Sequence, residues 1–134
     1  MSTKYQYSDF DIDFGKNEFI SDVSMKLERN SIRQSVMNII LTRKGEKPFN
    51  RGFGIGLHEL LFESTSPSAN AKLELDIKHE VHLREPRVSI QSVVVNEEDI
   101  DSNTVELIVN YLVLGGSRAE AQPESLRIEL QKVR

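Results

Sequence analysis

His79 and His82 stand three residues apart in AKLELDIKHEVHLREPRV. On a helix that spacing puts both imidazoles on one face, where they could share a metal ion. Such a site needs a third ligand, and Glu74 or Glu85 would have to supply it. Solvated residues on the outside of a helix produce the same spacing, and no metal is expected. The third histidine, His58, stands apart from this pair. Cysteine is absent, which removes disulfides, thiolate zinc sites and a cysteine nucleophile. No G-x-S-x-G elbow presents a serine. Acids number 21, but a glycosidase needs two carboxylates about 5–10 Å apart across a cleft, one with a raised pKa. No acid here lies in an apolar stretch that would raise it. The GFGIG run, residues 52–56, lacks the spacing of a phosphate-binding loop and follows no strand. No catalytic residue and no cofactor are expected.

Glu85 and Arg87 flank Pro86 where a helical pattern gives way to a strand pattern. Proline disfavours helical geometry in the residue before it, so the helix should stop near Glu85. A plain turn would be served by Gly, Asn or Asp. Two readings of the charges are open. They close on each other as a clasp that ends the helix, or they are held out for another chain. The second is physically sensible, because proline leaves the backbone little freedom to lose on binding. Arginine adds five donors in a rigid fork.

The elements that position these residues follow from pattern. A chain of 134 residues, 38% hydrophobic and 28% charged, suits one domain with a real core. Its net charge of -4 favours no nucleic-acid partner. No apolar run approaches the roughly 20 residues of a membrane span, and the polar, acidic start does not read as a signal peptide. Neither a membrane nor a small-molecule substrate is expected. Residues 1–22 scatter aromatics among acids and read as an extended N-terminal arm, packed on the domain or docked on a partner. Residues 23–134 form the single domain.

Within it, VSMKLE alternates as a short strand or extended lead-in. Ser31 and Gln34 fit a capping box at the start of a helix. Ile32, Val36, Ile39 and Ile40 form its core stripe, Arg43 and Lys44 its last turn, and Gly45 its left-handed stop. The following glycine-rich loop should anchor itself in the core through Phe49 and Phe53. LHELLFE reads as a short helix. Ser66 caps a longer one, with Pro67 first and Leu73, Ile77 and Val81 inward. Val88 and Ile90, then Val93 and Val95, are out of phase, which predicts a bulge. NEEDIDSN reads as an acidic turn, TVELIVNYLVL as a strand, GGSRAEAQPE as a long loop and LRIELQ as a last strand. Helices first and strands afterwards predict an α+β fold: N-terminal helices, then a small, mainly antiparallel sheet of about three strands.

LTRKGEKPFNRGFGIGLHELLFE, residues 41–63, closely resembles the signature of the contractile phage tail wedge and sheath-initiator proteins. This is the gpW and gene-product-twenty-five-like family, whose relatives include the TssE component of type VI secretion. Glu85-Pro86-Arg87 matches the family's Glu-Pro-Arg motif, between the long helix and the first main strand. The resemblance spans about residues 20–133. It implies a structural subunit of the virion's tail baseplate, assembled in the host cytoplasm, with the other baseplate wedge proteins and the tail sheath protein as partners. It implies that Glu85, Pro86 and Arg87 meet the helical core bundle of the wedge. It also implies a sheet that accepts arms of sheath subunits by strand addition. Arg127 and Glu129 on the last strand are the candidate edge positions, and the same charges could instead blunt an ordinary edge. Two other roles go with the resemblance: a baseplate lysozyme, and the equivalent subunit of a type VI or other contractile injection machine.

Overall fold

The computed structural model describes residues 8–10, 25–27, 29–57, 66–98, 104–114 and 122–131. The first helix, α1, runs Arg29–Leu41 and begins two residues ahead of the expected cap. A capping box needs its serine at the open start of the helix. Packing instead holds Ser31 and Gln34 inside the helix and buried. The stripe of Ile32, Val36, Ile39 and Ile40 is buried as its spacing requires.

Thr42 ends α1. Its hydroxyl and its N–H both donate to the Asn38 carbonyl, at 2.6 and 3.0 Å. Arg43 and Lys44 therefore lie beyond the last turn. Gly45 is left-handed (φ 86°), but it belongs to the loop, where its N–H donates to the Arg51 carbonyl at 2.9 Å. The helix stops early because its end is claimed by the far side of that loop. The Thr42 carbonyl accepts N–H groups from Ile55 (3.1 Å) and Gly56 (3.5 Å). Gly54 permits this approach. It has φ 96°, and a Cβ there would lie 2.2 Å from the Thr42 carbonyl oxygen.

The loop's core anchors are Ile55 and Leu57, both buried. Phe53 packs part-buried against the core. Phe49, expected as a second anchor, is fully exposed. The turn that Asn50 closes on the Lys47 carbonyl (3.3 Å) swings residue 49 outward with φ 63°. Of the expected helix LHELLFE, only Leu57 falls among the described residues.

The second described helix, α2, runs Pro67–Arg84. The Ser66 hydroxyl accepts from the Ala69 N–H at 3.3 Å, and Pro67 takes the position where a missing N–H costs nothing. Leu73, Ile77 and Val81 are buried. Then come β3 (Val88–Glu98), β4 (Thr104–Val113) and β5 (Gln122–Gln131), an antiparallel sheet with β4 in the middle. On β4, Val105, Leu107, Val109, Tyr111 and Val113 face inward and share one core with both helices.

The register slips between Ile90 and Ser92. This bulge lets Ile90 and Val93 both turn inward, opposite Tyr111 and Val109. Two strand ends run further than local pattern suggests. Asn96, Glu97 and Glu98, expected in a turn, pair with Glu106, Val105 and Thr104. The last strand starts at Gln122 and carries Pro123 opposite Leu112. Ladder pairing with β4 overrides the polar, turn-like composition of both stretches. Ser8–Phe10 (β1) pairs antiparallel with Met25–Leu27 (β2), and this ribbon lies against α1. The rest of the expected arm lies outside the described residues. The architecture is α+β, with the described helices followed by a three-stranded antiparallel sheet.

Candidate functional site

The turn from α2 into β3 is built around Glu85. Its N–H donates to the Val81 carbonyl at 2.7 Å and finishes the helix. Its carbonyl accepts from the Val88 N–H at 3.1 Å and closes the turn across Pro86 and Arg87. Arg87 then folds back. Its Nε donates to Glu85 Oε1 at 2.5 Å and its Nη2 to Oε2 at 2.6 Å. This is a two-pronged, charge-assisted contact. Glu85 is 3% exposed. Burial by itself would push its pKa up. Hydrogen bonds from Arg87 and from Ser35 of α1, with the Arg87 charge, outweigh that and hold the carboxyl below its ordinary range.

The motif's three residues therefore have different stations. Glu85 is inside and occupied, Pro86 is exposed, and the Arg87 side chain is about one-third exposed. Within this chain the Glu85 carboxylate is buried and bonded to Arg87, so Pro86 and the Arg87 side chain are the parts of the motif that reach the surface.

Ser35 also lines an open cleft of about 480 Å³ between α1, the glycine loop and the end of α2. Arg84 crosses this region and donates to the Gly52 carbonyl at 3.3 Å. The Phe53 ring lies 4.1 Å from Lys47 Nζ and 5.5 Å from the Arg84 guanidinium carbon, within cation–π range of both. Ser35, Lys47 and Arg84 carried no signal in the sequence, since nothing local tells that three separate segments meet here.

Arg127 and Glu129 sit elsewhere, exposed on β5 opposite Ile108 and Glu106. The Leu114 N–H donates to the Arg87 carbonyl at 2.7 Å. Bonded and non-bonded residues alternate along an antiparallel ladder. Leu114 and Leu112 thus turn their backbone groups to β3, and Tyr111 and Val113 turn theirs to β5. Leu112 faces Pro123, so Pro123 points away from the ladder, as a residue without an N–H can. Ser125, Arg127, Glu129 and Gln131 share its phase and present N–H and C=O groups to the edge of the sheet that, among the described residues, no strand pairs.

His79 and His82 are exposed on α2. Their possible third ligands are engaged elsewhere: Glu74 pairs with Lys78 at 2.7 Å and Glu85 with Arg87. Among the described residues no three His, Asp or Glu side chains cluster to hold a metal. His58 is not among them. Tyr111 on β4 is perturbed as well. Burial, then the charge of Glu124, pushes its pKa up to about 12, and its hydroxyl donates to Glu124 Oε2 at 3.2 Å.

Comparison with known proteins adds four findings. The family described as Baseplate wedge protein gp25 matches residues 26–118. Baseplate wedge protein gp25 of Enterobacteria phage T4 is 40% identical over 82 residues, and the match spans 61% of each chain. Among solved structures, a chain assigned as a tail lysozyme from Geobacter sulfurreducens superposes with a TM-score of 0.59 at 22% identity, covering 77% of this chain and 91% of that one. A chain of the anti-feeding prophage baseplate superposes with a TM-score of 0.56 at 20% identity, covering 88% and 78%. At these identities the two structures speak for the fold alone.

Proposed function

The chain belongs to the baseplate wedge protein gp25 family, and on that premise we propose that it is a structural, non-enzymatic subunit of a contractile-tail baseplate in the virion. Residues 23–134 are the working domain and residues 1–22 its arm. Pro86 and Arg87, aimed by Glu85, contact the helical core bundle of the wedge. The open edge of β5 at Arg127 and Glu129 receives arms of the sheath protein by strand addition, which starts the first sheath ring.

The observation that carries this reading is the buried Glu85 carboxylate with both prongs of Arg87 upon it. A rigid guanidinium at a proline turn has little left to lose on binding. The β5 edge supports the second contact, because backbone groups spaced for an extended chain need no pocket. Glu85 itself does not suit the general acid of a glycosidase, which needs a raised pKa, because Arg87 and Ser35 hold its carboxyl below the ordinary range.

The test is assembly. Wild type, Glu85→Ala, Arg87→Ala and the double variant are mixed with purified wedge proteins and the products are weighed. Arg87→Ala should remain largely free while wild type enters the complex. Normal complexes from the double variant would sink the wedge contact. Clearing of peptidoglycan by the purified chain, lost on replacing one acid, would sink the non-enzymatic reading.

A further inference from the structure

The loop after α1 carries a surface that neither the clasp nor the β5 edge uses. Phe49 is fully exposed there and holds a left-handed backbone at φ 63°. Bulky side chains disfavour that region, and glycine or asparagine would fill it more readily. The loop is braced. Gly45 donates to Arg51 at 2.9 Å, Asn50 to Lys47 at 3.3 Å and Phe53 to Asn50 at 3.1 Å, while Ile55 and Gly56 tie its base to Thr42. The ring is thus held out at a conformational cost that no contact among the described residues offsets. An outlier of this kind points outward, to something the ring meets. Around it Arg43, Lys44, Lys47 and Arg51 are exposed, with Glu46 the one acid between them. This cationic patch belongs to a chain of net charge -4.

We propose that this loop is a second protein contact, in which Phe49 enters an apolar socket on a neighbouring subunit with an acidic rim. An aromatic on a braced loop brings contact area with few rotamers to freeze. The four cations select the acidic rim and steer the approach. A protein surface fits better than a nucleic acid. One ring is not a stacking series, Glu46 stands among the cations, and the chain as a whole repels a polyanion. The inference rests on the reading of this chain as a subunit of a multiprotein baseplate.

Full-length wild type and variants are titrated with the purified wedge proteins of the same particle, and with a short DNA duplex, at low and high salt. Phe49→Ala should melt at or above the wild-type temperature and bind the wedge proteins about tenfold more weakly, or worse. Lys44→Glu with Arg51→Glu should lose binding and flatten its salt dependence. Wild-type affinity in Phe49→Ala overturns the proposal; if Arg87→Ala is impaired in the same titration, the baseplate reading survives that failure. If wild type itself does not bind, both fall. A lowered melting temperature in Phe49→Ala overturns it too, since the ring would then be packed at home. Phe49-dependent binding to the duplex, without binding to the wedge proteins, replaces the protein partner with a nucleic acid.

Discussion

Arg87 grips Glu85 with both prongs of its guanidinium across a single proline, at 2.5 and 2.6 Å. The two ends of this contact are unequally buried: the Glu85 side chain is 4% exposed and that of Arg87 31%. Removing either end therefore leaves a different remainder. Arg87→Ala strands a buried carboxylate and should destabilise by about 3 kcal/mol. Glu85→Ala leaves an arginine that can turn to water and should cost about 1 kcal/mol. The double variant should recover part of the Arg87→Ala loss. Urea melts of the three proteins check the order, and equal losses from both single changes would contradict it.

The same pair sets an acid dependence. The Glu85 pKa is lowered from its ordinary 4.5 in the folded protein. Its contribution is therefore present in full above that value and is lost as pH falls through the lowered one. Wild type should lose stability to Arg87→Ala-like levels on acidification below the ordinary carboxylate range. Arg87→Ala should show a shallower loss there, measured by urea melts at stepped pH.

At the alkaline end Tyr111 behaves in the opposite sense. Its pKa rises from 10.0 to about 12 on folding. The neutral hydroxyl stabilises the fold fully below 10, and that contribution disappears as pH rises through 12. Tyr111→Phe should cost about 1 kcal/mol at neutral pH. It should also lose less stability than wild type between pH 10 and 12. A parallel decline in both proteins would place the alkaline transition on another group.

On β5, neighbouring prolines should have opposite effects. The Ile128 amide points into the β4 ladder, so Ile128→Pro should unfold the sheet. The Glu129 amide points to the open edge, so Glu129→Pro should fold and join baseplates that stay bare of sheath in electron micrographs. Glu129→Ala should give near-normal tails. Equal harm from the alanine and proline changes would indicate side-chain recognition instead of strand addition.

Two glycines of the loop should also separate. Gly45 is left-handed with nothing near its missing Cβ, so Gly45→Ala should cost about 1 kcal/mol from backbone strain alone. Gly54→Ala adds a collision with the Thr42 carbonyl at 2.2 Å, and about 3 kcal/mol or more is expected. Thermal melts of the two variants make the comparison.

Much of this protein was legible along the chain. Periodicity alone placed Ile32, Val36, Ile39 and Ile40, then Leu73, Ile77 and Val81, in the core. The slip between Ile90 and Val93 foretold the bulge, and Ser66-Pro67 marked the start of α2. These are local signals, and burial of an apolar face rewards them directly. The proline between Glu85 and Arg87 likewise marked the helix end.

What the chain could not determine by itself depends on segments far apart in sequence. Ser31 and Gln34 look like a cap until packing buries them. Phe49 and Phe53 look alike until the loop closes on Thr42 at Gly54, with Phe53 against the core and Phe49 exposed. Pro123 looks like part of a loop until β4 supplies the ladder and turns its missing N–H outward. Which backbone groups of Arg127 and Glu129 face the open edge follows from the bond between Leu114 and Arg87. Hydrogen-bond phase is a property of paired strands, and a single strand read alone does not carry it.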